Sequence, residues 1–328
     1  MLNVSLIVPS YERIDQTIQT VNFILNSNGL NKDFLLEIII SDSSPDDKLE
    51  TVVKEKFSDK VVYIKPERPG IAANKNAGAK IASHPILIFC DSDMEVELDT
   101  IINTINSLRH HKTAGAIGGQ VLWKGGTQDG KNDRPRKEDR ILTIDNTNYV
   151  EALYSRYIST YKDVFWEIGG YDEEVFNMRG EGSDLSIRYW RAGYPLAYDS
   201  LIIVHHVFDT EGGIIRGVPH PEWGIAKDLL LLAYKYDLSS EDKNFINVVK
   251  DNFEKYHEDG YFQIIQGIIK NLQFIIDKKP IIDEQKKIIK AKYNFKFLEI
   301  FSEKILFEDC VNKAENQLLK IREKIFHD

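Results

Sequence analysis

The sequence predicts an α/β protein, with a mostly parallel, doubly wound sheet followed by a C-terminal helical region. Short apolar runs with strand character alternate with amphipathic segments over roughly the first two thirds of the chain, and this alternation is typical of a parallel sheet covered by helices on both faces. Residues 86–89 are an apolar run that indicates a strand buried on both faces. After about residue 225, apolar residues recur only at helical spacing.

The first three strands follow directly from the residue pattern. Residues 4–8 form a largely apolar run that ends at a Pro-Ser turn, which predicts a strand. Residues 14–25 carry apolar side chains at helical spacing and predict a helix. Residues 35–40 are a second apolar run, and the acidic, turn-rich segment after them leads into a helix at residues 48–57. A short β-branched run at residues 61–64 predicts the third strand.

The remaining elements of the sheet region continue the alternation. They are helices at residues 70–82, 100–110 and 184–192 and strands at residues 86–89, 114–122 and 201–204. Gly193 ends the last of these helices, as glycine commonly does after a helix. Residues 124–140 are rich in Gly, Lys and Asp and have no periodicity, which predicts a surface loop.

The C-terminal part of the chain has a different character. Residues 226–236, 262–276 and 305–325 carry apolar side chains at helical spacing among Lys and Glu residues, and each segment predicts a helix. We therefore expect a sheet-containing domain at residues 1–225 and an α-helical region at residues 226–328.

The composition is that of a soluble globular protein. Hydrophobic residues make up 42% of the 328 residues and charged residues 28%, which is ordinary for this class. The formal net charge of −9 argues against a general nucleic-acid-binding protein. The two cysteines, Cys90 and Cys310, do not make a disulfide framework. With no signal-peptide pattern at the N-terminus, we expect a cytoplasmic protein, either free or peripheral to the membrane.

Asp91 and Asp93 directly follow the strand at residues 86–89. In an open α/β sheet, ligands bind at the carboxyl ends of the strands. Alternate residues of an extended segment point the same way, so both carboxylates can approach one hard cation whose other positions stay open for phosphate oxygens. The other interpretation is a solvated loop after a buried strand, and the rest of the sequence has to decide between the two.

Six short segments, each weak alone, occur in a distinctive order. They are residues 4–13 (VSLIVPSYER), 37–47 (EIIISDSSPDD), 70–78 (GIAANKNAG), 91–93 (DSD), 169–172 (GGYD) and 180–193 (GEGSDLSIRYWRAG). Together they resemble the family 2 glycosyltransferases of the GT-A fold, a Rossmann-like fold. The resemblance implies transfer of a sugar from a nucleotide-sugar donor, most often a UDP-sugar in this family, to a hydroxyl group of an acceptor.

The resemblance implies a donor site at the carboxyl edge of the sheet. The implied donor-binding residues in this part of the chain are Pro9, Tyr11, Glu12, Asp42, Lys75, Asn76, Asp91 and Ser92. Asp42 would accept a hydrogen bond from the nucleoside base. Lys75 stands where the family often has an arginine that faces the diphosphate, and a lysine keeps the charge but loses the bidentate geometry. Asp42 and Asn76 also fit local capping or packing roles. Tyr11 and Glu12 also fit an ordinary helix entry, and Lys75 also fits a solvated helix face.

The resemblance also implies a divalent metal, Mn²⁺ or Mg²⁺, held by Asp93, Asp91 and His206. Residues 204–208 (VHHVF) are similar to the corresponding segment of the polypeptide N-acetylgalactosaminyltransferases, in which the histidine before Val-Phe binds the metal. This similarity favours His206 over His205. Because imidazole is a softer ligand than carboxylate, the set suits Mn²⁺ better than Ca²⁺.

Gly182 departs from the pattern of the family. Most inverting members have Asp at this position, and that Asp is the general base that deprotonates the acceptor hydroxyl. Either Glu181 or Asp184 acts as the base here, or the enzyme retains the anomeric configuration, as the polypeptide N-acetylgalactosaminyltransferases do, and needs no such base. Both acids also fit structural roles, Glu181 in orienting a loop and Asp184 in capping a helix.

Residues 209–224 predict a mobile lid over the donor site. Glycines in this segment supply hinge freedom, and Arg216 would reach phosphate. Trp223 offers a stacking face for a sugar or an acceptor, and His220 lies in the same segment. The other interpretation is an ordinary connecting loop, with Trp223 packed against the core.

Two other classes of function stay open at this point. A nucleotidyltransferase has a related sheet, but it usually shows a Gly-rich basic loop after its first strand, which residues 9–13 do not provide. A non-catalytic sugar-nucleotide-binding protein is compatible with Gly182. We expect the acceptor hydroxyl on a glycan, a lipid-linked glycan or a protein, and we expect the C-terminal helices to bind the acceptor, to form a homo-oligomer or to lie near a membrane.

Overall fold

A computed structural model describes most of the chain. It describes residues 2–124, 141–207, 221–237, 266–288, 291–293 and 304–326, without the side chains of residues 123–124, 221–226 and 304–305. The predicted loop at residues 124–140 lies almost wholly outside the described residues.

The structure gives the bounds of ten strands and nine α-helices, and residues 266–270 are also helical. The strands are β1 (Leu2–Ser10), β2 (Phe34–Asp42), β3 (Val61–Ile64), β4 (Ile86–Cys90), β5 (Met94–Val96), β6 (Ala116–Lys124), β7 (Ile141–Ile144), β8 (Thr147–Val150), β9 (Tyr157–Tyr161) and β10 (Leu196–Val207). The helices are α1 (Ile14–Leu25), α2 (Lys48–Phe57), α3 (Ile71–Ile81), α4 (Thr100–His110), α5 (Lys162–Glu167), α6 (Glu181–Arg191), α7 (Pro221–Lys235), α8 (Leu272–Ile288) and α9 (Lys304–Phe326).

One mixed sheet organises the molecule. Its strand order is β3-β2-β1-β4-β9-β6-β10-β8-β7, and β5 pairs with β10 outside this path. The four strands from β3 to β4 are parallel, as are β6 and β10. β9 runs antiparallel between β4 and β6. The predicted α/β class with a helical C-terminal region is therefore confirmed.

Several elements were not expected from the sequence. β5 has only three residues, and β9 contains Ser159 and Thr160 within its apolar pattern, so neither gives a long hydrophobic run. The hairpin of β7 and β8 turns at Asp145 and Asn146, both with positive φ, and its strands have four residues each. Short, polar strands that depend on their neighbours leave little periodicity in the sequence.

Several predicted elements have different boundaries in the structure, and two of them show the physical reason. α6 begins at Glu181 instead of Asp184, because Gly180 adopts a left-handed conformation (φ 78°) and starts the helix one turn earlier. The last strand spans Leu196–Val207 and is much longer than the predicted residues 201–204. Its middle is irregular where it pairs with β6, which explains the weak pattern there.

The C-terminal helices pack onto the sheet region. In α9, Phe307, Leu318 and Phe326 belong to the same buried cluster as the sheet strands. The buried guanidinium of Arg322 donates to the backbone oxygens of Leu108 and Arg109, at 2.6 Å each. The apolar core therefore continues across the compositional boundary near residue 225.

A second cluster joins α7 and α8 to the segment around α6. It contains Val175, Phe176 and Ile187 together with residues of α7 and Ile282 of α8. Beside it, the ammonium group of Lys235 lies 2.7 Å from Asp172 and 2.6 Å from Asp184. α7 is thus fixed to the sheet region by apolar packing and by buried ion pairs.

Both cysteines of the chain lie in the core. Cys90 ends β4 and Cys310 lies in α9, and both thiols are free and fully buried. Burial raises the pKa of Cys310 to about 12 and that of Cys90 well above its ordinary value. In the described part of the chain, no helix is both long and apolar enough to span a membrane.

Candidate functional site

The carboxyl edge of the parallel strands collects the polar residues that were predicted to bind the donor. β1 pairs with β2 so that Ser10 lies opposite Asp42, and it pairs with β4 so that Ile7 lies opposite Phe89. Asp91 follows β4 at the same edge, where its backbone N–H donates to the Arg156 oxygen at 2.9 Å. The end of β1, the end of β2 and the Asp91–Asp93 segment are therefore neighbours.

β5 brings His206 to Asp93. It pairs antiparallel with β10, and this register places His206 opposite Met94. The N–H of Val207 donates to the backbone oxygen of Asp93 at 3.0 Å. As a result, Nε2 of His206 lies 3.3 Å from Oδ2 of Asp93. His205 points elsewhere and contacts Glu97, with 2.7 Å between Nε2 and Oε1.

Arg13 also contacts Asp93, on the same oxygen that faces His206. Only 5% of the Asp93 side chain is exposed. Burial raises the pKa of Asp93, but the hydrogen bond and charge of His206 and the charge of Arg13 outweigh it, so the pKa lies below its ordinary value. Asp93 is therefore a buried carboxylate that is held in its charged form by two cationic or polar neighbours.

Lys75 lies at the centre of the site. Its side chain is fully buried on α3, which excludes a solvated helix face. The ammonium group lies 3.1 Å from Oδ1 of Asp91 and donates to the backbone oxygen of Ser155 at 2.6 Å. It also lies over the Tyr171 ring, 5.4 Å from the centroid. The buried positive charge of Lys75 is thus fixed next to the acidic segment after β4.

The predicted nucleoside-binding residues lie where β1 and β2 end. Asp42 is fully buried, and its two oxygens accept from the Ser44 hydroxyl at 2.7 Å and the Tyr63 hydroxyl at 2.9 Å. The Asp42 carboxylate is therefore already hydrogen-bonded within the protein. Pro9 is buried in β1, Tyr11 is half-buried and Glu12 is exposed.

Asn76 supports a loop instead of facing the open edge. Its amide nitrogen donates to the backbone oxygen of Tyr171 at 2.8 Å and to the Glu173 carboxylate at 2.7 Å. Its amide oxygen accepts from the backbone N–H of Tyr171 at 2.9 Å. These bonds occupy the amide and hold the Gly169–Gly170–Tyr171 turn. These contacts favour a structural role for Asn76 over the predicted donor-binding role. Ser92 lies buried between Asp91 and Asp93.

Glu181 begins α6 and points into the site. Its Oε1 accepts from the Ser155 hydroxyl at 2.6 Å, and the backbone oxygen of Ser155 is the partner of Lys75. Ser155 also explains Gly182, since a Cβ at residue 182 would lie 3.0 Å from the Ser155 Cβ and 3.2 Å from its hydroxyl oxygen. The space that an Asp would need at this position is therefore filled by Ser155.

Asp184 is a structural acid in this arrangement. It is fully buried and contacts Arg188 at 2.7 Å, Lys235 at 2.6 Å and the Tyr236 hydroxyl at 2.8 Å. Burial raises the pKa of Asp184, but the charges of Arg188 and Lys235 outweigh it and lower the pKa to about 2. A carboxylate with both oxygens occupied is a poor base, so these contacts favour the structural role of Asp184 over the base role that the sequence also left open.

Asp228 is an acid of this region that the sequence did not indicate. It lies on α7, and its Cβ would be 3.3 Å from a Cβ at Gly180, directly before Glu181. Burial raises the pKa of Asp228, the charge of Glu181 raises it further, and Lys227 and Arg179 only partly offset both effects. Asp228 lies in a leucine-rich helix without a recognisable motif, so only the packing of α7 identifies it.

The expected lid lies largely outside the described residues. Arg216 and His220 belong to the undescribed part of the chain, so neither the lid nor their contacts can be placed. The backbone of Trp223 lies in the first turn of α7, and its side chain is not described.

The residues at the edge fit a divalent metal in part. Oδ2 of Asp93 and Nε2 of His206, 3.3 Å apart, are close enough to bind one ion together. The described residues contain no group of three or more His, Cys, Asp or Glu side chains around one point. Of the three predicted ligands, Asp93 and His206 contact each other, whereas Asp91 pairs with Lys75.

Two curated proteins illustrate the sequence similarity. Probable N-acetylgalactosaminyltransferase 9 of Caenorhabditis elegans is 25% identical over 222 residues, which is 58% of this chain and 37% of that protein. Glucosyl-dolichyl phosphate glucuronosyltransferase of Haloferax volcanii is 24% identical over 294 residues, which is 82% of this chain and 91% of that protein. The chain spans only about a third to a half of the first N-acetylgalactosaminyltransferases that it matches.

Two solved structures share the fold. GalNAc-T7, crystallised with UDP, GalNAc and Mn²⁺, has a TM-score of 0.54 and 18% identity, over 83% of this chain and 57% of that one. Residues 1–349 of TarS from S. aureus, in complex with UDP-GlcNAc, have a TM-score of 0.57 and 14% identity, over 97% of this chain and 92% of that one. Both are glycosyltransferases of the GT-A fold, and the fold of this chain is the same.

The family assignment rests on the part of the chain that contains most of the site. The sequence model described as Glycosyl transferase family 2 matches residues 5–169, which is half of the 328 residues. This range includes the ends of β1, β2 and β4, Lys75 and the Asp91–Asp93 segment. The chain therefore belongs to glycosyl transferase family 2.

Proposed function

We propose that the protein is a metal-dependent glycosyltransferase that moves a sugar from a nucleotide-sugar to an acceptor hydroxyl. The observation that carries this proposal is the pairing of Asp93 with His206, beside the buried Lys75–Asp91 ion pair, at the carboxyl edge of a family 2 domain. Such an edge is where α/β proteins bind their ligands. Here it combines a candidate metal pair with a fixed positive charge, as a diphosphate leaving group requires.

The donor in this proposal is a UDP-sugar. UDP and UDP-GlcNAc occur in the structures of GalNAc-T7 and TarS that share the fold. Asp42 would then lie near the base, with its orientation fixed by Ser44 and Tyr63. Pro9, Tyr11 and Glu12, at the end of β1, would line the same part of the donor site.

Asp93 and His206 would hold the metal, Mn²⁺ or Mg²⁺. A carboxylate and an imidazole together suit Mn²⁺, and two protein ligands leave room for the diphosphate oxygens. A bound metal would neutralise negative charge that develops on the leaving diphosphate. This part of the proposal is supported by the contact between the two side chains and by the Mn²⁺ in GalNAc-T7.

Lys75 would stabilise the diphosphate from its position next to Asp91. It is fully buried and already paired, so its ammonium group is oriented before the donor binds. A preorganised cation costs little reorganisation when charge develops on the leaving oxygen. In this arrangement Asp91 positions Lys75 rather than binding the metal.

Glu181 is the acid that we assign to the acceptor side. It is buried at the start of α6 and accepts from Ser155, which links it to Lys75. If the product is inverted, Glu181 would take the proton of the acceptor hydroxyl. We propose that this hydroxyl belongs to a glycan, a lipid-linked glycan or a protein; relatives of this chain are named for acceptors of the last two classes.

Donor hydrolysis and transfer test the proposed function. The purified full chain is incubated with Mn²⁺ and a panel of nucleotide-sugars, and UDP release is measured. We expect turnover of at least one UDP-sugar, and we expect Asp93→Ala and His206→Ala each to lower it by about a hundredfold or more. NMR of a transferred product then gives its anomeric configuration.

His205→Ala is the matched control for His206→Ala. His205 precedes His206 in β10 but contacts Glu97 instead of Asp93, so its replacement should leave turnover nearly unchanged. Full activity of both the Asp93 and the His206 variants would remove the metal assignment. Binding of UDP-sugars by the wild-type chain without hydrolysis or transfer would indicate a non-catalytic binding protein.

A further inference from the structure

Arg13 forms an ion pair with Asp93, the carboxylate that the proposed metal would bind. It lies directly before α1, and its guanidinium Nη1 contacts Oδ2 of Asp93. The same oxygen faces Nε2 of His206 at 3.3 Å. A cation bound by Asp93 and His206 would therefore lie against the guanidinium of Arg13.

The Asp93 carboxylate can have either Arg13 or a divalent metal ion as its cationic partner. A buried carboxylate without a cationic partner is costly, and the Asp93 side chain is only 5% exposed. Arg13 supplies that partner in the structure. A divalent ion on the same oxygen would replace this interaction, and the two positive charges would repel each other at short distance in a site of low dielectric. Arg13 and the metal thus compete for Asp93.

Arg13 can leave Asp93 without a change in the backbone. Its backbone oxygen is fixed by the N–H of Thr17 at 3.0 Å and by the Thr17 hydroxyl at 2.5 Å. The side chain is 22% exposed, and its Nε is a buried donor that makes no hydrogen bond with the described residues. A fixed backbone with a rotatable, incompletely bonded guanidinium lets the side chain exchange one anion for another.

We propose that Arg13 holds Asp93 in the nucleotide-free protein and passes to the diphosphate of the donor when metal and nucleotide bind. This inference rests on the proposed function, since it needs the metal at Asp93 and a diphosphate beside it. Guanidinium groups bind phosphate oxygens through two parallel N–H bonds, which makes a diphosphate a suitable new partner. Metal alone then binds weakly, because it must leave Arg13 without an anion. Metal with nucleotide binds tightly, because both cations gain a partner.

The consequence is a coupling between metal and nucleotide that depends on one side chain. Coupling of this kind is reciprocal, so UDP must raise the affinity for Mn²⁺ by the factor by which Mn²⁺ raises the affinity for UDP. We expect this factor to be about tenfold or more in the wild-type chain. In Arg13→Gln, we expect Mn²⁺ alone to bind about tenfold more tightly than in the wild type, and the coupling factor to fall towards one.

The affinity for Mn²⁺ is measured by titrating the full chain with Mn²⁺, with and without UDP, and following the free ion by electron paramagnetic resonance. The affinity for UDP is measured by calorimetry, with and without Mn²⁺. Arg68→Gln is the matched control, because Arg68 is an exposed arginine that pairs with Glu173 and Glu174 away from Asp93. It removes the same charge and should change neither affinity. Arg13→Lys keeps the charge without the bidentate fork, so Mn²⁺ alone should stay weak while UDP coupling decreases.

Two results would count against the inference in different ways. If Arg13→Gln and Arg13→Lys both show the wild-type Mn²⁺ affinity and the wild-type coupling, Arg13 does not control the site, and the proposed function stands. If Mn²⁺ binds neither to the wild type nor to the Arg13 variants, even with UDP, the metal assignment fails and takes this inference with it. Circular dichroism of each variant verifies that it is folded.

Discussion

At the scale of single residues, Ser155 connects the two halves of the candidate site. Its backbone oxygen accepts from Lys75 on the proposed diphosphate side, and its hydroxyl donates to Glu181 on the proposed acceptor side. It also fills the space in front of Gly182. One serine therefore positions both charged groups and explains the residue by which this chain departs from the common family pattern.

Replacement of Ser155 by alanine tests this role. The Glu181 carboxylate would lose a hydrogen bond, and a bond to a charged group contributes about 1.5–3 kcal/mol. We expect the rate of transfer to fall by about tenfold or more, with little change in the KM for the donor. Steady-state kinetics measure both.

Ser159→Ala serves as the control for this variant. Ser159 is a buried serine of β9 whose hydroxyl donates to the Ile117 oxygen, away from Glu181. Its replacement should leave the transfer rate nearly unchanged. Equal rates for Ser155→Ala and the wild type would mean that Glu181 does not depend on Ser155.

The site could be predicted from sequence where residues follow the ends of parallel strands. Asp42, Asp91 and Asp93 have this position, and their proximity follows from strand register. Ser155 and Arg13 could not be found this way. Ser155 precedes an antiparallel strand that was not expected, and the contact of Arg13 joins residues 80 positions apart through side chains alone.

At the scale of elements, a buried ionic network holds α7 against α6. Lys235 is the last residue of α7 and Tyr236 follows it, and both contact Asp184. Lys235 also contacts Asp172. Gln285 of α8 donates to the same Asp172 oxygen at 3.1 Å. The orientation of the helix that carries Glu181 therefore depends on residues from the C-terminal region.

Asp184→Asn is expected to destabilise the protein by about 3–5 kcal/mol at neutral pH, because it leaves the buried charges of Arg188 and Lys235 incompletely compensated. Urea unfolding measures this change. Asp309→Asn is the control, since Asp309 forms an exposed pair with Lys313 on α9 and its loss should change stability little.

The contribution of Asp184 should also depend on pH in a defined direction. Its pKa in the folded protein is lowered from 3.8 to about 2, so the stabilisation is fully present above the higher value and is lost as the pH falls from about 4 towards 2. The wild type should lose about 2 kcal/mol from this group over that interval. The stability of Asp184→Asn should lack this pH dependence. If the free energies of unfolding of the wild type and of Asp184→Asn depended equally on pH, the assignment of this effect to Asp184 would be contradicted.

At the scale of the whole molecule, the C-terminal helices complete the core of the sheet region. α9 supplies Phe307, whose ring lies 5.3 Å from that of Trp190 in α6, and Phe326, whose ring lies 6.4 Å from that of Tyr161 in β9. Arg322 binds the end of α4 beside them. The composition of the chain changes near residue 225. The sheet region and α9 nevertheless share one buried apolar cluster.

Two adjacent leucines of α9 test this unity. Leu318 is fully buried in the cluster shared with the sheet, and Leu319 is 46% exposed. We expect Leu318→Ala to lower the free energy of unfolding by about 2–5 kcal/mol, through lost burial and a new cavity. Leu319→Ala should change it by less than about 0.5 kcal/mol.

Urea unfolding followed by tryptophan fluorescence measures the free energy of unfolding of both variants. We expect a single unfolding transition in each. If the Leu318 variant unfolded in two transitions, with the sheet region unchanged, the helical region would be an independent domain. If both variants matched the wild type, the packing of α9 would contribute nothing measurable.

Most of the fold was predictable because the residues that recur with helical or strand periodicity are also the residues that are buried. α1, α2 and α4 have the predicted limits, since each has an apolar face against the sheet and polar residues opposite. The hairpin β7–β8 and the antiparallel β9 were missed, because their stability comes from neighbouring strands rather than from their own residues. Docking of α9 was also not predictable, since its apolar face does not identify the surface that it meets.

The burial of both cysteines makes the native chain unusually suitable for site-specific labelling. The thiolate is the reactive form, and burial keeps Cys90 and Cys310 protonated and shielded. A cysteine introduced at an exposed position such as Met178 or Leu201 would then be the one that a maleimide dye or spin label modifies. Distances between such probes could follow the donor-bound and free states without first removing the native thiols.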